Sequence, residues 1–541
     1  MNRDYFFSQT IIKFIWSKLK SKKQKLLEEI REQWGLEIDR KRNSDLISVF
    51  FRKEAEKSQE YLVDDKTWYD LNMDEIFSKI DRTATPVGRQ YLYKMLRTYE
   101  DDEKVSKVRT GLYEIFSSEI SLRENIQLKL NRIRHNDNFY IADMIFGALP
   151  DKPKGYLIIY FTSFSFVLSF LFAFIYKPLL LSALFFAFAN LIIKRIFDKR
   201  IFESKYSLFQ FRRLLQTGIG LSKLRTDKNI PKLESLKKNS KSAESLLKKM
   251  GLLLDEDELS FTIWGMIVIY LYYFCLVDLI SYCRSVGAIK QHINEIREIY
   301  RSVGEIDALI SISSYLTCVG HYTVPSFNED NIIEVSGIYH PLLTDPACNT
   351  FFTKNRSTLI TGSNMAGKTT FIRTIAVNLL LARTINICLA EKANLPLLSV
   401  KTSITREDSI SEEKSYYFRH VEDLAECIKL SEEKNKYLFA IDEIFKGTNT
   451  VERIAAATSV LKYLGKNNIV LVTTHDIELQ DLLKDYYVMF HFSEQVENEK
   501  YYFNYIIKPG PCDTRNAIRL LELKGYPASV TDEAYEFAEE L

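Results

Sequence analysis

The sequence predicts an all-α region in the N-terminal part of the chain and an α/β domain with a parallel sheet in the C-terminal part. Up to about residue 330, Leu, Ile and Phe recur at helical spacing among dense charges, which indicates amphipathic helices. Over residues 331–510, short apolar runs alternate with helix-like segments, as in a sheet with crossover helices. An uncharged stretch at residues 157–193 adds a predicted pair of membrane helices.

Length and composition limit the functional classes. A chain of 541 residues exceeds a single core and suggests two to four domains. The net charge is only +2, so overall charge does not indicate a nucleic-acid-binding protein. The seven cysteines show no CxxC spacing, which argues against a zinc ribbon or a disulfide framework and is typical of a reducing compartment.

The strongest motif is the turn at residues 362–369, which fits G-x-x-x-x-G-K-[ST] in full between a strand-like and a helix-like segment. In such a P-loop, glycines let the backbone wrap a phosphate, while backbone N–H groups and the helix N-terminus stabilise its charge. Lys368 would reach the outer phosphates, and the Thr369 hydroxyl would ligate Mg²⁺. The alternative is a chance match in a polar loop. The predicted ATP-binding residues are Gly362, Ser363, Asn364, Met365, Ala366, Gly367, Lys368, Thr369 and Thr370.

Two later apolar strands end in residues suited to the same site. The strand Tyr437–Ile441 ends in Asp442 and Glu443. A carboxylate at a strand end can hold Mg²⁺, and a second one beside it can orient or deprotonate the attacking water. The next strand ends before His475, which is placed to sense the γ-phosphate, although a lone histidine is more often structural. We therefore predict an ATPase with Glu443, His475 and Lys368 in catalysis, and with Thr369 and Asp442 on the metal.

These motifs resemble those of a known family. "TGSNMAGKTT", "DEIFKGTNT" and "TTH" are similar to the ATPase domain of the MutS DNA mismatch-repair proteins, which are relatives of the ABC ATPases. "DLNMDEIFSKIDRTATPVGRQYLYKMLR" resembles the start of the MutS core, "GIYHPLL" the entry to its ATPase domain, and "GPCDTRNAIRLLELKGYPASVTDEA" its C-terminal dimerisation helices. The resemblance covers about residues 65–135 and 290–535. One mild departure is Ala366, where the family usually has a second glycine.

The resemblance implies a homodimer through the ATPase domains, in which a signature serine of one subunit completes the site of the other. The nearest match is Ser415, and the loop at Gly447, Thr448 and Asn449 would lie near the same interface. The family tends to have Glu five residues after that serine, where this chain has His420. Mismatch readers also carry an N-terminal Phe-x-Glu wedge that unstacks DNA. The matches here, at Phe492 and Phe537, lie near the C-terminus and are most simply chance, so mismatch reading is not supported.

The hydrophobic stretch lies where the family's DNA clamp would branch off. Leu157–Tyr176 is uncharged over twenty residues, about 30 Å as a helix, and Leu179–Ile193 adds a shorter segment of fifteen. Basic residues flank the pair on both sides, so the positive-inside rule places both flanks in the cytoplasm. These residues are Lys152, Lys154, Lys194, Arg195, Lys199 and Arg200. The alternative is a buried helical hairpin in a soluble core, which would make the protein cytoplasmic.

Two other apolar segments are ambiguous. A third spanning helix at Phe261–Val277 would separate the basic N-terminal region from the ATP-binding turn across the membrane, so we interpret it as a buried or membrane-grazing helix. No cleavable signal peptide is apparent at the N-terminus. A basic amphipathic helix there, with one apolar face, would lie on an anionic membrane surface or dock on the protein. That face holds Phe7, Ile11, Phe14, Ile15 and Leu19.

The predicted organisation has six segments. They are an N-terminal basic amphipathic segment (1–64), the first part of a helical core (65–150), a transmembrane hairpin (151–200), a helical lever (201–330), the P-loop ATPase domain (331–510) and a C-terminal dimerisation segment (511–541). The leading hypothesis is a dimeric ATPase tethered to the inner membrane through residues 157–193, facing the cytoplasm and coupling nucleotide state to DNA. The alternative is a membrane-anchored scaffold or DNA-structure-binding module in which nucleotide is only a switch. The basic stretch Arg212–Lys249 would then contact phosphates, unless it is simply a solvated face. A single short hairpin offers no translocation path, so an ABC transporter fits poorly.

Overall fold

A computed structural model describes most of the chain as two compact units. The first unit holds residues 1–59, 79–95 and 111–318, and the second holds residues 60–78, 96–110 and 319–541. The residues described are 23–56, 62–134, 139–251, 263–363, 366–404, 416–433, 436–446, 448–497, 500–511, 518, 521 and 525–540. The N-terminal amphipathic segment with Phe7 to Leu19 therefore lies outside the described residues.

The first unit is helical, which confirms the predicted all-α N-terminal region. Three of the helices, at Met73–Ile80, Pro86–Arg97 and Glu103–Ser118, contain positions at which the chain passes from one unit to the other. The helices up to residue 318 are α1 (23–32), α2 (Ser44–Ala55), α3 (Asp65–Asp70), α4 (Met73–Ile80), α5 (Pro86–Arg97), α6 (Glu103–Ser118), α7 (Ile120–Leu130), α8 (Tyr140–Phe146), α9 (Leu157–Phe172), α10 (Leu179–Ser222), α11 (Pro231–Met250), α12 (Ile263–Phe274), α13 (Val277–Gln291) and α14 (Ile293–Leu316).

Helix α14 forms the centre of the first unit and is buried along most of its length. The buried carboxylate of Asp307 accepts hydrogen bonds from the backbone N–H groups of Ala84 and Thr85, at 2.9 Å each, just before α5 begins. Gly88 allows this approach, because a Cβ there would lie 2.1 Å from Asp307 Oδ2. Burial raises the pKa of Asp307 to about 6.

The second unit contains the predicted α/β domain. Its main sheet has six strands in the order β12-β9-β4-β8-β7-β6, and its inner strands pair in parallel. A four-stranded sheet, β1-β5-β2-β3, and a hairpin, β10-β11, accompany it. The strands are β1 (Ser326–Asn328), β2 (Ile332–Ile338), β3 (Asn349–Lys354), β4 (Ser357–Thr361), β5 (Lys392–Pro396), β6 (Ser399–Ser403), β7 (Tyr437–Asp442), β8 (Ile469–Thr473), β9 (Tyr487–His491), β10 (Glu494–Glu497), β11 (Lys500–Phe503) and β12 (Lys508–Pro509).

Helices cover the main sheet, and a segment from far upstream joins them. The helices that pack on the sheet are α15 (Lys368–Ile385), α16 (Tyr416–Ser431) and α17 (Thr450–Leu464); α18 (Glu478–Leu483) packs on α17, and α19 (Ala528–Glu540) follows at the end of the unit. Asp70, at the end of α3, accepts a hydrogen bond from Thr402 Oγ1 (2.8 Å) and one from the Ile404 N–H (3.1 Å). Residues 60–78 therefore extend the sheet unit at its β6 edge, a grouping that local sequence patterns do not indicate.

The helices of the hydrophobic stretch differ in length from the uncharged runs that predicted them. Helix α9 has 16 residues, fewer than the twenty uncharged ones, and α10 runs on for 44. Among the described residues one helix, Leu179–Lys199 with 21 residues, is long and apolar enough to cross a membrane. The pair Ile267–Phe274 and Val277–Gln291, bent by 76°, would add a second if counted as one span. The described part of the third apolar run thus forms α12, and a bend at Leu276, which has a left-handed backbone (φ 51°), separates it from α13.

Candidate functional site

The turn between β4 and α15 has the backbone that a phosphate-binding loop needs. Gly362 (φ 134°) and Gly367 (φ 102°) lie in the left-handed region that favours glycine. A Cβ at Gly362 would also lie 2.5 Å from the carbonyl oxygen of Phe492. The Ser363 hydroxyl is buried without a hydrogen-bond partner among the described residues, so a polar acceptor is missing inside the turn. Asn364 and Met365 lie outside the described residues.

Lys368 begins α15, and its ammonium group is held at the mouth of the turn. The side chain is buried, and Nζ donates to the carbonyl oxygens of Gly362 and Ser363 at 2.7 Å each. It also lies 3.3 Å from Nε2 of His475. A buried cation held by two carbonyl oxygens suits an anionic ligand at this position.

Asp442 lies beside the turn because of the strand register. The pairing of β7 with β8 sets Asp442 opposite Thr473, and the hydroxyl of Thr473 donates to the Asp442 carboxylate. The hydroxyl of Thr369 donates to the same carboxylate, with oxygen–oxygen distances of 2.9 and 3.0 Å. Hydroxyl and carboxylate oxygens are the hard ligands that Mg²⁺ prefers, so this donor set fits the predicted metal.

Glu443, the next residue after Asp442, has a left-handed backbone, and two basic side chains hold its carboxylate. Glu443 (φ 47°) and Phe445 (φ 57°) both have left-handed backbones, a costly conformation for these residues. The Glu443 carboxylate lies 2.8 Å from His475 Nε2 and 2.6 Å from Lys446 Nζ. The hydrogen bond with His475 is the largest cause that lowers the pKa of Glu443, to about 2, and Lys446 lowers it further. Glu443 is therefore ionised throughout the neutral range.

The structure brings together most of the predicted site residues and adds some that sequence reasoning missed. The added residues include Thr473, which donates to Asp442, and Lys446, which pairs with Glu443. Both lie inside the motifs TTH and DEIFKGTNT. Tyr505 has no such signal, since it is far away in sequence, yet its ring lies 3.1 Å from where a Gly367 Cβ would be. A cavity of about 370 Å³ adjoins the turn, and its lining includes His340, Asn349, Thr370, Phe371, Phe492 and Tyr505.

The residues named from the family resemblance have different outcomes. Ser415 and Gly447 lie outside the described residues. His420 is buried, with its ring 6.1 Å from that of Phe445, and burial is the main cause that lowers its pKa to about 4. Phe492 is also buried, and its ring packs 5.8 Å from that of Phe371. It is therefore a core residue and not an exposed wedge, in agreement with a chance Phe-x-Glu match.

Comparisons with known proteins identify the family that the C-terminal part of the chain resembles. Residues 358–541 match the family model described as MutS domain V. The DNA mismatch repair protein MutS of Listeria monocytogenes serotype 4a is 30% identical over 266 residues, which are 47% of this chain and 31% of the relative. The Thermotoga maritima protein of the same name is 30% identical over 269 residues, 46% of this chain and 32% of the relative.

The alignments with these relatives cover only part of this chain and a smaller part of each relative. A Clostridioides difficile MutS is 27% identical over 260 residues, which are 46% of this chain and 27% of that protein. The chain thus spans about 30% of the length of these curated relatives. The resemblance to the MutS family is confirmed, and it rests on the C-terminal part of the chain.

Proposed function

We propose, on the premise that this chain is a MutS-family protein, that it is a membrane-tethered dimeric ATPase that couples its nucleotide state to DNA binding. One observation supports this proposal most strongly. Thr369 of the phosphate turn and Asp442 of the neighbouring strand share a hydrogen bond, with Lys368, Glu443 and His475 around them. Such an arrangement has the parts that phosphoryl transfer requires, namely a phosphate cradle, metal ligands and a carboxylate for the water.

Each side chain has a distinct role in this proposal. The amides of the turn and Lys368 hold the phosphates, and Thr369 and Asp442 hold Mg²⁺, which neutralises charge on the phosphate oxygens when it is bound. Glu443 orients the attacking water and accepts its proton. His475 contacts both Lys368 and Glu443, so binding of the outer phosphate at Lys368 can change the position of Glu443 through His475. The adjacent cavity with Tyr505 has room for the nucleoside.

Lys446 should determine the pH below which the rate of ATP hydrolysis falls. Because its ammonium group helps to lower the pKa of Glu443, the substitution Lys446→Met should raise that pKa toward its ordinary value near 4.5. A depressed carboxyl pKa favours the ionised form, so the folded protein gains stability above pH 4.5 and loses it as the pH falls toward 2. We expect kcat/KM for ATP hydrolysis to fall at a higher pH in the variant than in the wild type. Lys429→Met, on the exposed face of α16, is the control, and superimposable profiles for all three proteins would rule out this role of Lys446.

The membrane tether is supported by the surface of α9 and α10. Only 17% of an apolar window of 18 residues within Leu179–Lys199 is buried in the protein, whereas the core helix of a soluble protein is mostly buried. Phe164 on α9 is 68% exposed and Leu181 on α10 is 74% exposed, and in the turn between the helices Ile175 is 81% exposed. A continuous apolar surface of this kind favours contact with lipid.

The broken helix α12–α13 has polar contacts that suit an apolar environment. A helix break leaves carbonyl groups without intrahelical partners, and in lipid these must be satisfied by protein. The hydroxyl of Ser163 on α9 donates to the carbonyl oxygen of Cys275 at 2.6 Å, and the amide of Asn190 on α10 donates to that of Phe274 at 2.7 Å. We infer that α12 enters the bilayer from one side without crossing it.

The basic end of the hairpin is consistent with a cytoplasmic side. Lys194 Nζ lies 2.8 Å from Asp278 Oδ2 and 2.9 Å from Asp198 Oδ2, so its charge is neutralised where α10 would leave the membrane. Lys152 and Lys154 precede α9, and Arg195 and Lys199 follow on α10. Both ends of the hairpin are thus basic, which supports a cytoplasmic ATPase domain.

Fractionation tests the tether. We expect the full-length protein to stay in the membrane pellet after carbonate treatment and to be released by detergent. The double variant Phe185→Lys and Phe188→Lys should increase the carbonate-soluble fraction severalfold, because each charge costs about 2.5–3.5 kcal/mol near the centre of a spanning helix. Ser245→Lys, on the exposed face of α11, is the control. Release of the wild type by carbonate alone would refute the tether and favour a soluble hairpin.

A DNA-binding scaffold remains the second candidate because of α11. Three of its leucines are buried, whereas Lys237, Lys238 and Lys241 are exposed and available to nucleic-acid phosphates. A steep loss of DNA affinity with salt, in a protein that binds but does not hydrolyse ATP, would favour this role.

A further inference from the structure

A cluster of arginines surrounds one buried carboxylate in the first unit, away from the residues described above. The Asp81 side chain is fully buried. The Nε atoms of Arg42 and Arg89 each lie 3.1 Å from Asp81 Oδ2, and that of Arg40 lies 3.8 Å away. Three guanidinium groups therefore share a single carboxylate, an uneven balance for buried charges.

A fourth arginine, Arg82, adds to the excess of positive charge near Asp81. Arg82 donates to the carbonyl oxygens of Leu36 and Lys79, at 2.8 Å each, and to Cys318 Sγ, all of them uncharged acceptors. The nearby Asp307 offers one more carboxylate, but it is engaged by backbone N–H groups. Four cations thus lie near Asp81 and Asp307, and Glu29 and Asp39 are further carboxylates in the lining of the cavity beside them.

The protonation behaviour of Arg40 agrees with this surplus of positive charge. Burial is the main cause that lowers the pKa of Arg40 to about 10, and the charges of Arg89 and Arg42 lower it further against the attraction of Asp81. A negative ligand beside Arg40 would relieve this repulsion.

A cavity of about 360 Å³ opens beside these arginines. Its volume falls in the range of small-molecule sites. Its lining includes Trp34, Arg40, Arg82, Arg89, Gln127 and Arg134. Arg134 is paired with Glu29 at 2.6 Å, whereas the buried Oε1 of Gln127 has no hydrogen-bond partner among the described residues.

Arg89 is the residue of this lining that is best suited to bind a phosphate. It is only 5% exposed, and its Nε lies 3.1 Å from Asp81 Oδ2. Its guanidinium lies 5.5 Å from the ring centre of Phe139, which fixes the plane of the group. A planar, fixed guanidinium presents parallel N–H donors, the geometry that binds phosphate through two hydrogen bonds.

We propose that this cavity binds a small phosphorylated metabolite whose phosphate group accepts hydrogen bonds from Arg40 and Arg89. The ligand neutralises the surplus charge around Asp81 and fills a space of mononucleotide size. The site is separate from the ATPase chemistry and does not depend on the proposed function.

Titration calorimetry with inorganic pyrophosphate tests this site. The full-length protein carries Lys368→Ala, so that the phosphate turn does not contribute. We expect saturable binding that becomes at least about tenfold weaker in Arg89→Met, because a charged donor pair is lost. Arg225→Met, an exposed arginine of the same unit, should leave the affinity unchanged. Absence of saturable binding, or equal affinity in Arg89→Met, would overturn the proposal.

A second readout avoids any effect of Arg89→Met on folding. Phenylglyoxal modifies arginines, and peptide mapping gives the rate at each position. In the protein with its arginines intact, pyrophosphate should slow modification of Arg40 and leave the exposed Arg225 unaffected. Unchanged labelling of Arg40 would mean that the arginines only hold the Asp81 turn. Displacement of pyrophosphate by duplex DNA at equal phosphate concentration would overturn the assignment to a small molecule.

Discussion

The substitution Glu443→Gln is expected to reduce ATP hydrolysis by about 100- to 1,000-fold while nucleotide binding is retained, because a positioned base typically contributes a factor of this size. The introduced amide keeps the shape of the side chain and can still bond to His475, but it cannot accept the proton of water. Lys368, Thr369 and Asp442, which would hold the phosphates and the metal, are untouched. The variant should therefore accumulate with ATP bound, as a closed dimer. Steady-state phosphate release and size-exclusion chromatography with ATP measure the two effects.

The control for this experiment is Glu329→Gln, an exposed carboxylate between β1 and β2 whose variant should hydrolyse ATP like the wild type. Turnover of Glu443→Gln at the wild-type rate would remove Glu443 from the mechanism. Equal loss of binding and hydrolysis would show instead that the carboxylate organises the turn. The two outcomes separate a chemical role from a structural one.

The substitution Lys368→Ala is expected to weaken ATP binding by about 100-fold, because loss of a buried charge that pairs with a ligand costs about 2–5 kcal/mol. Lys368 Nζ is the cation at the mouth of the turn, and neither carbonyl that now holds it can replace its charge. Hydrolysis should fall with binding. Equilibrium titration with a fluorescent ATP analogue gives the affinity directly.

Lys354→Ala provides the matched control, since that lysine is exposed at the end of β3 in the same unit. Because Lys368 is buried, its variant must first be shown to keep its far-UV circular dichroism and its unfolding midpoint. An affinity close to that of the wild type in a folded Lys368→Ala protein would contradict the assignment of the phosphate turn.

The sequence alone predicted the helical N-terminal region, the α/β domain and the motifs that converge on the turn. Parallel strands expose their carboxyl ends at one edge, so residues that end successive strands meet there, and Asp442 and Thr473 do. Contacts of this kind follow from local pattern and topology. They are therefore accessible without a structure.

Other features depend on packing between residues far apart in sequence. No local pattern indicates that Asp70 bonds to Thr402 or that Tyr505 lies against Gly367. No local pattern brings Arg40, Arg42 and Arg89 to the buried carboxylate of Asp81, and only the fold shows this cluster. The length of α9 also differed from its uncharged run, because hydropathy does not determine where a helix ends.

The central claim is that the turn at residues 362–369 holds a nucleotide whose metal faces Asp442. Titration of the purified protein with labelled ATP, with and without Mg²⁺, tests it most directly, with Asp442→Asn measured beside the wild type. We predict saturable binding of one nucleotide per chain that Mg²⁺ strengthens in the wild type and much less in Asp442→Asn. No saturable uptake, or an affinity indifferent to both Mg²⁺ and Asp442, would contradict the claim.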